Sequence, residues 1–279
     1  MKYASRIYLC LIFGILYIPI ITLIFFSFNS ANSTAVFEGF SLRWYIELFN
    51  PNTSPETFTA LKNTLILALS SALLSTVIGT AAAEGIYKMR SKLTKRAIKS
   101  VTSIPMMNPD IVTGMSMMLF FVAVAAIVGL SYDDMGFANM LIAHTTFCLP
   151  YVILSVLPRI TELGNTLSEA AQDLGCTPTQ AFFKVKLPNI MPGVISGFIM
   201  AFTLSLDDFV ISYFVGSAKF QTLPLLIYSM TKKKVTPDMY ALSTLIIVAI
   251  FLLLLVSNIH AGKEESRKSK NKRKGGRAK

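Results

Sequence analysis

The sequence predicts an all-α membrane protein with six transmembrane helices. Of its 279 residues, 53% are hydrophobic and only 15% are charged, whereas soluble domains carry about 25% charged residues. The mean hydropathy is +0.58. A helix needs about 20 mostly apolar residues to cross a hydrocarbon core about 30 Å thick, and six stretches reach that length. They comprise residues 7–28, 64–83, 98–130, 137–158, 191–215 and 240–260.

The first stretch follows Lys2 and Arg6, as the apolar core of a cleavable signal peptide also would. Its apolar run is about 22 residues long, whereas that of a signal peptide has about 7 to 15. No A-x-A cleavage site follows it. We therefore expect a retained helix at residues 7–28.

Basic residues orient membrane helices because loops rich in lysine and arginine stay in the cytoplasm. Most of the 26 lysines and arginines lie in segments that share one side if the N-terminus is cytoplasmic. Six of them lie on the opposite side, among them the lysine triplet 232–234. The sequence thus predicts a multi-pass protein with both termini in the cytoplasm.

The third stretch is interrupted by prolines at positions 105 and 109. Asn108 is a good helix cap, and Asp110 then lies in the first turn, where the helix dipole favours a negative charge. The sequence predicts that a helix restarts here. Irregular backbone at membrane depth survives only inside protein or along a water-filled cavity, so Asp110 fits both a structural role and a place on a solute pathway.

The loop at residues 159–190, after the fourth stretch, predicts two short helices. Thr166 and Glu169 have the S/T-x-x-E spacing of a capping box, which indicates a helix start. Gly175 can adopt the left-handed conformation that closes a helix C-terminus. Such a pair also suits a DNA-binding helix-turn-helix, but the acidic and basic residues of the loop balance, and this leaves no net positive charge for phosphates.

The second helix of this loop is predicted to begin directly after the turn. Thr177 can act as its cap, Pro178 is tolerated at the first helical position, and Gln180 completes a second capping box. We expect this helix to end before Pro188, since proline removes a helical hydrogen bond.

The residues beyond the sixth stretch, 262–279, are rich in Lys, Arg, Ser and Gly. Without apolar periodicity they predict a disordered cytoplasmic tail that is attracted to anionic lipid headgroups. The tail has no interleaved aromatic residues for stacking on bases, so the net charge of +11 does not indicate nucleic-acid binding. The three widely spaced cysteines indicate neither a disulfide framework nor a metal site.

Three acidic residues are predicted at membrane depth, namely Asp110, Asp207 and Asp208. Charged groups are costly there and usually face a cavity or a partner. Carboxylates without a basic residue at similar depth favour a cationic solute, and aromatic rings nearby can add cation–π contacts. Those rings belong to Tyr151, Phe209 and Tyr213. Because adjacent like charges repel, one of Asp207 and Asp208 is expected to face a neighbouring helix.

Within the loop, the segment from Glu169, Ala170 and Ala171 through Gly175 to Val185-Lys186-Leu187-Pro188 resembles the EAA motif of ABC importer permeases, with Val185 in place of the usual isoleucine. The resemblance implies an ABC type I importer permease fold in the bacterial inner membrane. It also implies that the loop forms coupling helices, which dock into a cytoplasmic ATPase through Glu169, Ala170, Ala171, Gly175 and Pro188.

Four further segments, at residues 39–45, 108–112, 144–150 and 202–210, are similar to those of spermidine/putrescine permeases, in particular their C-type subunits. This resemblance implies a heterodimer with a sister permease, two copies of an ATPase and an extracytoplasmic polyamine-binding protein, with no cofactor in the permease itself. The expected organisation is a permease domain at residues 1–261 followed by the tail.

The sequence carries no G-x-x-x-x-G-K-[ST] phosphate loop, so any ATP hydrolysis must come from a partner. The histidines, His144 and His260, lie in or at the end of apolar stretches and are expected to be packing residues. Two alternatives stay open. One is an ABC permease for another solute, such as ferric iron, thiamine or a phosphonate. The other is a secondary transporter or channel that uses the carboxylates as proton or cation sites.

Overall fold

The computed structural model describes residues 2–32, 36–50, 55–107, 110–129, 136–217, 219–232, 237–252 and 255. Within these ranges the chain is helical almost throughout, and its β-structure is limited to two isolated bridges. The helices are α1 (Lys2–Phe26), α2 (Arg43–Leu48), α3 (Pro55–Lys88), α4 (Lys92–Met107), α5 (Asp110–Val128), α6 (Gly136–Leu163), α7 (Thr166–Asp173), α8 (Pro178–Ala181), a π segment (Phe182–Lys186), α9 (Leu187–Leu206), α10 (Val210–Val215), α11 (Leu223–Thr231) and α12 (Pro237–Leu252).

The chain divides into two compact units. The first comprises residues up to Lys62 together with Leu223–Leu252. Its core joins α2, the start of α3, α11 and α12 through Trp44, Leu48, Ala60, Leu223, Leu226, Ala241 and Leu242. The Trp44 indole Nε1 donates a 2.7 Å hydrogen bond to the Asn29 carbonyl oxygen, so this large ring is buried without an unpaired polar atom.

The second unit contains Asn63–Thr222, and half of the buried residues in its hydrophobic core lie on α6. Helix α9 packs along α6, and α10 packs against both α5 and α6. Val152 of α6 is fully buried between two glycines. A Cβ added at Gly79 of α3 would lie 2.7 Å from Val152 Cγ1, and one added at Gly197 of α9 would lie 3.3 Å from Val152 Cα. The absence of side chains at these two positions lets three helix backbones approach closely.

Four of the described helices are long and apolar enough to cross a membrane: Pro55–Lys88, Asp110–Val128, Gly136–Leu163 and the continuous helix Pro178–Leu206. Leu11–Phe26 and Pro237–Leu252 are shorter apolar helices. Six spans therefore stay a prediction. The third predicted stretch contains α4 and α5, which lie on either side of residues 108–109, so the predicted restart at Asp110 stays a prediction. Asn108 and Pro109, the proposed cap and its neighbour, lie outside the described residues, as does the tail at 262–279.

The prediction that a helix ends before Pro188 is wrong. The chain stays helical from Pro178 to Leu206. In a regular α-helix the ring of Pro188 would collide with the carbonyl four residues earlier. The π segment, which ends two residues before it, widens the turn and shifts the hydrogen-bonding pattern, so the helix continues through the proline.

The fifth predicted stretch, 191–215, is also not one helix. Helix α9 ends at Leu206, Asp207 is its C-cap residue, and α10 begins at Val210. An apolar composition does not reveal this break, which depends on hydrogen bonds made by Asp208.

Candidate functional site

The loop after α6, which the sequence predicts to be cytoplasmic, forms a helical hairpin, which we define as residues Thr166–Lys186. Gly175 makes the turn with a φ of +91°, a conformation that costs other residues about 1–2 kcal/mol. The Gly175 amide donates to the Gln172 carbonyl at 2.9 Å, and the Cys176 amide donates to the Ala171 carbonyl at 3.1 Å. These two bonds form a Schellman motif, so the predicted stop at Gly175 is confirmed.

The capping box predicted at Thr166 is not formed. The N-cap residue of α7 is Asn165, and it makes no side-chain cap hydrogen bond. The Asn165 carbonyl already accepts from the Glu169 amide at 2.9 Å, so the N-cap lies one residue before the predicted cap. Thr166 is then the first helical residue, and Glu169 lies too far along the helix to reach back to the cap amide.

The second predicted capping box, at the start of α8, is confirmed. Thr177 has extended backbone geometry, and its hydroxyl accepts from the Gln180 amide at 3.3 Å. The Gln180 side chain in turn accepts from the Thr177 amide at 3.2 Å. This reciprocal pair fixes where α8 leaves the glycine turn.

The motif residues of the hairpin divide by exposure. Glu169, Ala170, Gly175 and Pro188 are exposed, whereas Ala171 is buried. Leu167, Ala170 and Leu174 share one face of α7 by their spacing, and the Leu174 side chain is 88% exposed. The hairpin therefore presents a small apolar surface beside an exposed carboxylate, and Ala171 next to that surface is buried.

The break between α9 and α10 is held by Asp208. Its carboxylate accepts hydrogen bonds from the amides of Ile211 at 3.3 Å and Ser212 at 2.8 Å. Asp208 thus satisfies amides at the start of α10 that have no partner within that helix. Its side chain is nearly buried and faces α6, where Asp208 Oδ2 lies 3.5 Å from His144 Nε2. One of the two adjacent aspartates faces a neighbouring helix, as the sequence predicts.

His144 is the centre of a buried polar network. Its Nδ1 is hydrogen-bonded to Ser205 Oγ at 2.7 Å, and its Nε2 lies 3.1 Å from Ser212 Oγ. The Ser71 hydroxyl of α3 donates to Ser205 Oγ at 2.9 Å. His144 is only 1% exposed. The network ties α3, α6, α9 and α10 together at the break, which gives His144 more than the packing role expected for it.

Of the other predicted pathway residues, Asp207, Phe209 and Tyr213 lie at this break. Asp207 is exposed, and the rings of Phe209 and Tyr213 lie 5.6 Å apart between their centroids. Asp110 is exposed at the start of α5, and Tyr151 lies on α6, where its ring centroid is 5.7 Å from that of Phe147. Asp208 is thus engaged with protein groups, whereas the Asp207 and Asp110 side chains are exposed.

Two buried charged residues, Glu84 and Lys186, form an ion pair that the sequence does not predict. Glu84 lies one residue beyond the predicted second stretch, and Lys186 lies between Val185 and Leu187 in the segment that resembles the EAA motif. They form a buried ion pair with N–O distances of 2.9 and 2.8 Å. The sequence marks Glu84 only as a glutamate among small residues, in Ala81-Ala82-Ala83-Glu84-Gly85. Nothing in the local sequence indicates that its partner is a lysine 102 residues away.

Comparison with known proteins places the chain in a family. The model of the binding-protein-dependent transport system inner membrane component matches residues 75–263. The putrescine transport system permease protein PotI of Escherichia coli is 39% identical over 85% of this chain and 83% of its own length. The spermidine/putrescine transport system permease protein PotC of Haemophilus influenzae is 37% identical over 90% of this chain and 94% of its own length.

The fold is also that of a solved transporter. A chain from the crystal structure of a bacterial ABC transporter, involved in the import of the acidic polysaccharide alginate, matches with a TM-score of 0.73. The match covers 94% of this chain and 95% of that one, at 18% sequence identity. This chain belongs to the family of binding-protein-dependent transport system inner membrane components.

Proposed function

We propose that this chain is a permease subunit of an ATP-driven polyamine importer, in which it forms half of the translocation pathway. The observation that carries the proposal is the identity of 37–39% to putrescine and spermidine/putrescine permeases over most of the chain. The likeness to the alginate transporter supports the fold alone, since its identity is only 18%.

The acidic residues of the second unit suit a polyamine, whose ammonium groups are positive at neutral pH. Asp110 and Asp207 have exposed carboxylates and are proposed to contact the solute. Tyr151, Phe209 and Tyr213 lie nearby and offer aromatic faces for cation–π contacts. Asp208 is proposed to act on the pathway indirectly, because its carboxylate holds α10 and faces His144.

The hairpin is proposed to be the docking element for a cytoplasmic ATPase dimer. It offers an exposed carboxylate at Glu169 and an exposed apolar face that includes Ala170 and Leu174. Ala171 and Gly175 shape it, and Pro188 lies where it continues into α9. Small side chains at such a surface permit close approach of a partner. Movement of the ATPase then reaches the membrane through α9.

Further partners and the topology complete the proposal. The proposed partners are a sister permease in a heterodimer and an extracytoplasmic polyamine-binding protein. The proposed topology has six spans with both termini in the cytoplasm. The permease domain comprises residues 1–261 and is followed by a basic tail at 262–279. The excess of lysine and arginine in the predicted cytoplasmic segments supports this orientation.

The decisive experiment is uptake of radiolabelled spermidine and putrescine by strains with and without this gene. Ferric iron, thiamine, a phosphonate and amino acids serve as control solutes. We expect polyamine uptake to be lost without the gene and to depend on ATP. Loss of a control solute instead would contradict the proposal, as would uptake that persists when the ATPase is inactivated.

A further inference from the structure

A second buried charged site lies away from the break, where α3 meets the hairpin. The Lys186 ammonium group lies 2.9 and 2.8 Å from the two carboxylate oxygens of Glu84. It also lies 4.6 Å from the centre of the Tyr87 ring. Lysine is almost never buried unless it is paired, yet Lys186 is only 3% exposed. The side chain of Lys186 is therefore fixed by both an ion pair and an aromatic face.

This ion pair is a poor source of stability. Removing two charges from water costs about as much as their attraction returns, and apolar residues of similar size often serve as well. Two opposite charges are, however, far more selective about position than two apolar groups. The geometry therefore indicates a role in holding two elements in register.

The ion pair joins the hairpin to α3. Lys186 is the last residue of the π segment, which continues α8 of the hairpin. Glu84 lies in α3, the helix that packs on Val152 through Gly79 and reaches Ser205 of the polar network through Ser71. From Glu84 to Ser71 the helix is unbroken and spans about 20 Å at 1.5 Å per residue. The pair thus connects the hairpin directly to the helix that contacts the break.

We propose that Glu84 and Lys186 are positioning residues that transmit movement of the hairpin to α3, so that ATP hydrolysis is coupled to opening of the pathway at the break. This role deepens the proposed function and rests on it. The ammonium–carboxylate contact makes α3 and the hairpin move as one body. Without it, the hairpin still docks, but its movement reaches α9 alone.

The two partners differ in what their removal leaves behind. Glu84 Oε1 also lies 3.2 Å from the ammonium group of Lys88, whose side chain is 66% exposed. Lys186→Met therefore leaves Glu84 with a second cation. Glu84→Gln instead leaves the buried ammonium group of Lys186 without an anion, which is strongly destabilising. The double variant Glu84→Gln, Lys186→Met buries no unpaired charge.

The test uses the whole transporter in proteoliposomes, with the sister permease, the ATPase and the loaded binding protein. Spermidine uptake per ATP hydrolysed measures coupling, and hydrogen exchange of the hairpin amides measures its attachment without any solute. Lys186→Arg is the conservative variant, since arginine keeps the charge and also stacks on aromatic rings. Lys184→Met is the matched control, because Lys184 lies two residues away in the same segment and is exposed.

We expect Lys186→Met to lower uptake per ATP at least tenfold and to speed hairpin exchange, while Lys186→Arg and Lys184→Met stay within twofold of the wild type. The double variant should regain the thermal stability that Glu84→Gln loses, but its uptake per ATP should stay low. If the pair were merely structural, the double variant would also regain the uptake per ATP of the wild type. Coupling within twofold of the wild type in Lys186→Met or in the double variant would overturn the inference.

The two proposals fail in different ways. If the wild-type complex transports no polyamine, the proposed function is wrong, whereas the exchange measurement still reports whether Lys186 attaches the hairpin to α3. If the wild type transports spermidine and every variant does so with full coupling, the inference alone is wrong.

Discussion

Replacing Asp207 and Asp208 one at a time should give two different phenotypes. Asp208 accepts two backbone amides and faces His144, whereas Asp207 is exposed. We therefore expect Asp208→Ala to unfold the break. Asp207→Asn should leave the fold intact and weaken spermidine binding.

The size of each effect follows from the contacts. Loss of a cap costs about 0.5–2 kcal/mol, and loss of a hydrogen bond to a charged group costs about 1.5–3 kcal/mol. We expect Asp208→Ala to cost about 2–4 kcal/mol, which lowers Tm by about 5–10 °C for a domain of this size. Asp207→Asn should stay within about 0.5 kcal/mol of the wild type in stability. One exposed charge contact of about 1 kcal/mol corresponds to a rise of about fivefold in the KM for spermidine.

Two measurements separate the phenotypes. Heating detergent-solubilised protein before size-exclusion chromatography gives Tm, and labelled spermidine uptake over a concentration series gives KM. Asp208→Asn is an intermediate control, because its amide oxygen can still cap α10 but carries no charge. A wild-type Tm for Asp208→Ala would refute the structural role. An unchanged KM in both Asp207→Asn and Asp110→Asn would refute the acidic pathway.

Three further predictions concern turns and close contacts. Gly175→Val should reduce copurification of the ATPase about tenfold, because a β-branched residue does not tolerate a φ of +91°. Gly175→Asn should retain copurification, since asparagine tolerates this conformation. Equal copurification by both variants would contradict this prediction. Gly79→Ala should cost about 1–3 kcal/mol by overpacking against Val152. Adding Val152→Ala should recover part of the lost Tm, and a further loss would argue against the contact. Thr177→Ala should cost about 0.5–2 kcal/mol and speed hydrogen exchange in α8, while Thr177→Ser should match the wild type.

Local signals in the sequence predicted the hairpin well. The stop at Gly175 and the start at Thr177 each depend on partners within five residues, and the sequence contains all of them. Thr166 is not the cap because Asn165, which is also a residue type that favours helix starts, occupies the N-cap position one residue earlier. Propensity alone does not decide between two adjacent polar residues.

Long-range pairs escaped the sequence because no periodicity encodes them. His144 and Ser205 lie 61 residues apart, and Glu84 and Lys186 lie 102 apart. In the sequence, each of these residues is only a polar residue in or beside an apolar stretch. Their partners depend on which helices pack together, and this was set by small residues such as Gly79 and Gly197. The π segment was missed for a similar reason, since it accommodates Pro188 without any change in composition.

The continuous helix from Pro178 to Leu206 has a mechanical consequence. Its 29 residues form a lever about 40 Å long at 1.5 Å per residue. A tilt of about 5° over that length displaces one end by about 3–4 Å relative to the other. One end carries the turn at Thr177, and the other carries Asp207. In the proposed orientation, a small angular change at the Thr177 end of a stiff helix is enough to widen or close the proposed polyamine passage at the Asp207 end.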